Sequence, residues 1–281
     1  MSEAPRIFQV GKVKIGHGEP LGLIAGPCVI EEPDTVLTIA ERLVKITERL
    51  KIPYIFKASY EKDNRGTERN YRGPGGTEGL KLLKKVRDTF GCPVLSDVHR
   101  GIDAAEAAEY LDVLQVPAYL CQQTELLQSI GKTGKGVNVK KGQFLAPEGM
   151  AGAVSKLKSV GNTNVLLTER GSSFGYNRLV SDLRALPIMK ETGCPVVFDA
   201  THIIRLYGLP SSDPRGGEPQ YVPMLVRAGI AAGANALFLE THFNPTGAWC
   251  DAASMIHLDK LEPLLEQAVE LAALTRKWGL A

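Results

Sequence analysis

Eight short apolar runs alternate with amphipathic segments along this chain, and that alternation restricts its fold more tightly than any other feature. The runs cover residues 21–30, 52–59, 93–99, 113–120, 137–144, 164–171, 195–202 and 236–243. Most are too short for helices, are rich in Val, Ile and Leu, and lack strict alternation of polar and apolar residues. Parallel strands buried on both faces have this character. Between them, residues 34–50 place Ile39, Leu43, Ile46 and Leu50 on one helical face, with Asp34 as the expected N-cap. Residues 77–90 repeat the pattern with Leu80, Leu83, Val86 and Phe90, and Gly91 follows as a stop. Further helices are expected to begin near Ile102, Thr124, Pro147, Asn177 and Tyr221, and a long last one spans residues 258–278.

Strand and helix repeated eight times predict an α/β fold, a single (β/α)₈ TIM barrel. An open doubly wound sheet fits less well, because the first turn reads GPCVIEE and has no GxGxxG. Residues 7–15 alternate around Gly11 and predict a β-hairpin plugging the N-terminal end of the barrel. Residues 207–221 form a Gly/Pro/Ser-rich stretch after the seventh run and predict a mobile loop over the opposite end. No linker interrupts the pattern, so 1–281 is expected to be one catalytic domain.

The 281 residues carry 33 basic and 31 acidic side chains, a formal charge of +2. Such a balance gives no global field for nucleic acid or an acidic membrane, so any anion must be held by a local cluster of cations. No secretory leader or membrane-length apolar stretch is read, and the cytoplasm is the expected compartment. The five cysteines are scattered without a CxxC pair, which suggests individual thiols and no disulfide framework. Cys121 and Cys250 could flank a site, although neither shows a basic partner in sequence. The GKTGKG stretch at 131–136 precedes a strand and lacks phosphate-loop spacing.

In such a barrel the chemistry gathers at the C-terminal ends of the strands. Seven of the eight runs end in residues that could carry it: Cys28; Lys57; Asp97 and His99; Lys140, Lys141 and Gln143; Glu169 and Arg170; Asp199 and His202; and Glu240 and His242. Lys57, Lys140 and Arg170 would face one another across the bowl. Three unpaired cations repel, so the expectation is an anion between them, a phosphate alone or with a carboxylate; the alternative is that each pairs with an acid. Cys28, His202 and Glu240 end neighbouring strands, and Asp251 follows the last of them. Thiolate, imidazole and two carboxylates could hold Zn²⁺ or Fe²⁺. Taken singly, each of these residues also has a structural reading.

The segments IPYIFKASYEKDNRG, LQVPAYLCQQTEL, VNVKKGQFLAP, TERGSSFGYNRLV, FDATH and FLETHFNP resemble the 3-deoxy-D-manno-octulosonate 8-phosphate synthase family, in its order and over nearly the whole chain. The resemblance implies condensation of phosphoenolpyruvate, D-arabinose 5-phosphate and water, with release of phosphate, in lipopolysaccharide precursor synthesis. It implies that Lys57, Lys140, Gln143 and Arg170 bind phosphoenolpyruvate, and that Asn64 and Arg65 bind the sugar phosphate. Lys62 would reach between the substrates, and Asp97 and His99 would orient water or substrate. Of the family's two classes, the metal-dependent one has cysteine where this chain has Cys28. The resemblance therefore implies a divalent metal, Fe²⁺, Zn²⁺ or Mn²⁺, on Cys28, His202, Glu240 and Asp251, the last also acting in catalysis. It also implies a homotetramer.

The chain departs from the family pattern on the sugar-phosphate side. Gly66 stands where a serine is usual, Gln122 where an arginine is frequent, and Ile204 and Arg205 where a glutamine is common. Arg205 or Arg215 would be the compensating cation. These departures leave two alternatives: a synthase for another aldose phosphate, such as erythrose 4-phosphate, and a barrel that binds sugar phosphates without catalysis.

Overall fold

The computed structural model describes residues 3–209 and 213–279 of the chain. Eight parallel strands close into a ring: Gly22–Gly26, Tyr54–Lys57, Val94–Asp97, Val113–Val116, Gly136–Lys140, Val165–Glu169, Val196–Asp199 and Ala236–His242, counted one to eight in chain order. Each pairs with its neighbour in sequence, and strand eight closes on strand one in the register Ala236↔Gly22 to Glu240↔Gly26. Eight helices lie between and after them: α1 (Pro33–Leu50), α2 (Gly76–Phe90), α3 (Ala104–Tyr110), α4 (Thr124–Lys132), α5 (Met150–Lys158), α6 (Ala185–Lys190), α7 (Val222–Ala231) and α8 (Leu258–Lys277). This is the predicted (β/α)₈ barrel.

The eight strands are buried from end to end because one face meets the helices and the other fills the ring. Alternation along each strand explains what fills it. Ile24, Ile55, Leu95, Val113, Leu166, Val197 and Phe238 point inward and pack together at the N-terminal half. Two residues further on, the same inward face carries Lys57, Asp97, Gln115, Thr168, Asp199 and Glu240. Short strands thus suffice to stack an apolar layer beneath a polar one.

The hairpin Ile7–Val10 with Val13–Gly16 turns at Gly11, whose φ of 53° suits glycine. Phe8 and Ile15 are buried in the apolar layer, so the hairpin closes the N-terminal end as predicted. α1 begins one residue before the expected Asp34 cap. Glu32 is the N-cap residue without a side-chain cap bond, Pro33 takes the first helical position, and Asp34 lies in the first turn. An acid there still favours the helix dipole. α2 ends at the left-handed Gly91, as expected.

No helix starts at Asn177. Ser172–Gly175 and Arg178–Val180 form an antiparallel hairpin, and Tyr176 and Asn177 make its turn with φ of 38° and 59°. Two successive positive φ values are what a tight hairpin requires, and they are incompatible with a helix start. The expected starts at Ile102 and Pro147 are single 3₁₀ turns, Gly101–Asp103 and Pro147–Gly149, ahead of α3 and α5. Within the expected loop at 207–221, residues 210–212 lie outside the described residues. Just before the loop, Arg205 bridges antiparallel to Gly217, and Pro219–Tyr221 leads into α7.

Candidate active site

A cleft of about 640 Å³ opens at the C-terminal ends of the strands, where the polar layer comes to the surface. Lys57, Lys62, Asn64, Arg65, Asp97, His99, Lys140, Gln143, Arg170, His202 and Asp251 line it. Cys28 and Glu240, the other two expected site residues, are fully buried against it. The ring of Phe238 forms a floor, with the Lys140 and Lys57 ammonium groups 3.4 and 5.7 Å from its centroid.

A belt of hydrogen bonds runs round the polar layer. Thr168 Oγ1 donates to Asn138 Oδ1 at 2.7 Å, and Asn138 Nδ2 to Gln115 Oε1 at 2.8 Å. Gln115 then donates to one oxygen of Asp97, and Ser59 to the other. Burial alone would raise the Asp97 carboxyl, but Lys57 and Lys62 hold it below its ordinary range, so it stays ionised. Sequence reasoning missed Ser59, Gln115, Asn138, Thr168 and Phe238. Counting in twos from the apolar inward residues would have found the four on strands.

The expectation of three unpaired cations is corrected for two of them. Lys57 Nζ donates to Glu240 Oε1 at 3.0 Å and to Cys28 O at 2.7 Å, and Lys140 is paired with Asp199. These carboxylates reach the lysines because alternation aims both charges inward at the same level. Arg170 has no carboxylate partner among the described residues; its NH1 lies 3.4 Å from Tyr207 Oη. Gln143 Nε2 donates to the same phenol at 2.8 Å, and Gln143 Oε1 is buried without a partner among the described residues. Deep in the site, Lys57, Lys62, Lys140, Arg170 and Arg205 face Asp97, Asp199, Glu240 and Asp251, so five cations meet four carboxylates, and at the mouth the lining Asp63 is paired with Arg72. The surplus, with Arg65 at the mouth, is what remains for an anion.

Not every charged strand end turns into the bowl. Lys141 and Glu169 point behind the wall, 3.6 Å apart, where the Lys141 ammonium also bonds Gly142 O and Ser172 Oγ. His242 turns to Glu31 at 3.4 Å. The Lys141–Glu169 pair follows from alternation, since each residue sits one beyond an inward position; His242, two beyond Glu240, is drawn aside by Glu31.

The four expected metal ligands come together with Cys250 added. Cys28, Cys250 and Asp251 form one close group; His202, Glu240 and Asp251 form another, and Asp251 is shared. Cys28 Sγ lies 3.2 Å from Asp251 Oδ2, and His202 Nε2 lies 3.5 Å from Glu240 Oε1. Gly26, at the end of strand one, lets the chain pass close to strand two, because a Cβ there would stand 2.0 Å from Lys57 O.

The donor chemistry fits a divalent cation. His202 Nδ1 lies 2.7 Å from Asp199 Oδ2, a close contact without hydrogen-bond geometry, and Nε2 faces the carboxylates; a carboxylate in that place is the usual outer partner of a ligand imidazole. Burial lowers the His202 pKa and outweighs the Asp199 charge, so the ring is neutral, as a ligand must be. Glu240 Oε2 is buried with no hydrogen-bond partner among the described residues. Burial, the Cys250 thiol and the Asp251 charge push the Cys28 thiol well above its ordinary range, so binding a cation there would displace a proton. The Lys62 ammonium also reaches this group, bonding Cys28 Sγ and lying 3.5 Å from Asp251 Oδ2.

At the mouth, Arg65 NH1 bonds Cys250 Sγ at 2.7 Å, so Cys250 has the basic partner its sequence context did not show. Arg65 Nε and His99 Nδ1 are buried without partners among the described residues, and His99 Nε2 faces Asp63 N at 3.4 Å. Asn64 is exposed beside them. Gly66 also lines the cleft, and a Cβ there would meet only Asn70 Nδ2, at 4.0 Å. No steric demand therefore explains the glycine. Gln122 lies outside the cleft lining, its carbonyl bonded to Lys156.

The sequence pattern of the DAHP synthetase I family matches residues 3–277. A protein of Citrifermentans bemidjiense named 2-dehydro-3-deoxyphosphooctonate aldolase is 50% identical over 272 residues, covering 97% of this chain and 99% of its own. Proteins of the same name from Desulfosudis oleivorans and Geobacter sulfurreducens are 50% and 48% identical, covering 92% and 96% of this chain and 93% and 99% of their own.

Proposed function

The chain belongs to the DAHP synthetase I family, and on that premise we propose that it condenses phosphoenolpyruvate with D-arabinose 5-phosphate and water. The products are 3-deoxy-D-manno-octulosonate 8-phosphate and inorganic phosphate. The observation that carries this reading is one cleft holding both an uncompensated guanidinium, Arg170, beside Lys57, Lys140 and Gln143, and a thiol–imidazole–carboxylate cluster.

Carbon three of phosphoenolpyruvate attacks the sugar aldehyde, water adds at carbon two, and the resulting hemiketal phosphate loses phosphate by C–O cleavage. Arg170 and Gln143 would hold the phosphate and carboxylate, with Lys57 and Lys140 offsetting charge from below. Lys62 would reach between the two substrates. His99, with Nδ1 free of a protein partner, and the ionised Asp97 would orient water and the reacting carbons. Asn64 and Arg65 at the mouth would take the sugar phosphate. Cys28, His202, Glu240 and Asp251 would hold Fe²⁺, Zn²⁺ or Mn²⁺, which supplies Lewis acidity toward an aldehyde or water oxygen.

The proposal extends to a homotetramer of one-domain subunits in the cytoplasm, feeding lipopolysaccharide precursor synthesis. The experiment is phosphate release from phosphoenolpyruvate across a panel of aldose phosphates. Arabinose 5-phosphate is expected to give the highest kcat/KM. A higher value with erythrose 4-phosphate would replace the acceptor. Binding of phosphoenolpyruvate without turnover on any aldehyde would replace the enzyme reading.

A further inference from the structure

Asp251 is the one residue common to both groups of potential metal ligands. It is buried, and it is one of only four non-glycine residues at positive φ among the described residues, at 49°. A left-handed backbone costs an L-residue free energy and persists only where its surroundings impose it. Its two carboxylate oxygens face different neighbours. Oδ2 looks into the ligand group, 3.2 Å from Cys28 Sγ, 3.5 Å from Lys62 Nζ and 3.8 Å from His202 Nε2. Oδ1 accepts from the guanidinium of Arg205.

We propose that Arg205 is a positioning residue, clamping Asp251 by Oδ1 so that Oδ2 stays directed at the divalent-cation site. The inference rests on the metal reading above and goes beyond it, because Ile204 and Arg205 stand where the family commonly has a glutamine. Chain geometry supports the assignment. Arg205 lies three residues beyond His202, and its N–H returns to His202 O at 3.4 Å, so one short turn supplies an imidazole and the clamp on a carboxylate. The adjoining bridge to Gly217 fixes that turn. Burial makes an unpaired Asp251 oxygen costly, and a guanidinium can satisfy it without competing for Oδ2. A carboxylate held this way presents one oxygen to a cation and loses no orientational freedom on binding it.

The test measures metal affinity directly. Wild type, Arg205→Ala, Arg205→Gln and Arg205→Lys are stripped with chelator, checked for folding by circular dichroism, and titrated with Zn²⁺ or Mn²⁺ against a chromophoric chelator. Outer-shell groups of this kind are worth about 10- to 100-fold in metal affinity. Arg205→Ala and Arg205→Gln are expected to bind about tenfold or more weakly, and Arg205→Lys to recover part of the loss. An unchanged or tighter affinity in the folded glutamine variant would overturn the clamp, as would a change confined to the KM for the aldose phosphate. Failure of the wild type to bind any divalent cation removes the metal reading and the clamp together, and it is recognisable before any variant is measured.

Discussion

At the scale of single residues, the site is a set of buried charges held in place by one another. Asp97 shows the energetics most cleanly, because it lies outside the metal-ligand groups and both its oxygens are engaged by Ser59 and Gln115. Its carboxyl is depressed in the fold: burial opposes ionisation, and Lys57 and Lys62 overcome it. A depressed carboxyl contributes stability that is fully present above its unfolded pKa, about 4, and is lost as pH falls below that. Asp97→Asn is therefore expected to melt below wild type at pH 7 and to approach it as the pH drops below about 4. Thermal melts across that range check this, and a gap that widens on acidification would contradict it. Lys57, Asp97, Lys140, Arg170, His202 and Glu240 were readable as the polar ends of apolar runs, whereas Lys62, Asn64 and Arg65 came only from the family resemblance. Which cations were already paired was not, because Lys57 meets Glu240 and Lys140 meets Asp199 across the ring. Spacing along a chain says nothing about angle around a barrel.

Elements were legible to the extent that their signal was local. α4 begins at Thr124 and α2 stops at Gly91, where a few neighbouring residues decide the matter. The segment after strand six misled, because Tyr176 and Asn177 adopt a left-handed turn that only the flanking pairing of Ser173 with Leu179 enforces. The N-terminal hairpin was readable from alternation around Gly11, and its role follows from burial. Phe8 is 1% exposed and packs with Ile24, Ile55 and Leu95 at the barrel floor. Phe8→Ala is expected to cost about 3–5 kcal/mol of folding stability, the usual penalty for emptying so large a buried site. Because the floor and the cleft are opposite ends of the barrel, metal affinity and kcat should be unchanged below the melting transition. Urea unfolding alongside steady-state kinetics separates the two; a kcat that falls with stability intact would place the hairpin in the catalytic machinery instead.

For the whole molecule, the decisive contact is the seam where the chain's last barrel strand meets its first. Strand eight pairs with strand one over five residues and with strand seven through Val197↔Ala236 to Asp199↔Phe238. Nothing in the local sequence of either end specifies that closure; it follows from having eight strands to place in one ring. The candidate metal ligands straddle this seam: Cys28 just beyond strand one, His202 beyond strand seven, Glu240 on strand eight and Asp251 in the loop after it. A cation held there would tie together the segments with the greatest separation in sequence, so it should act on global stability as well as chemistry. Binding to the folded chain alone, at a hundredfold excess over Kd, is worth about 2.7 kcal/mol. For 281 residues, at about 2.1 cal/mol/K of unfolding entropy each, that corresponds to a rise in Tm of roughly 5 °C. Chelator-stripped protein is expected to melt lower by that amount and to recover on readdition of Zn²⁺, Fe²⁺ or Mn²⁺. In Cys28→Ala both the loss and the recovery should shrink, because the ligand that anchors strand one is gone. A melting temperature indifferent to chelator and metal in the wild type would detach the cluster from the seam and leave the barrel closed by its hydrogen bonds and core alone.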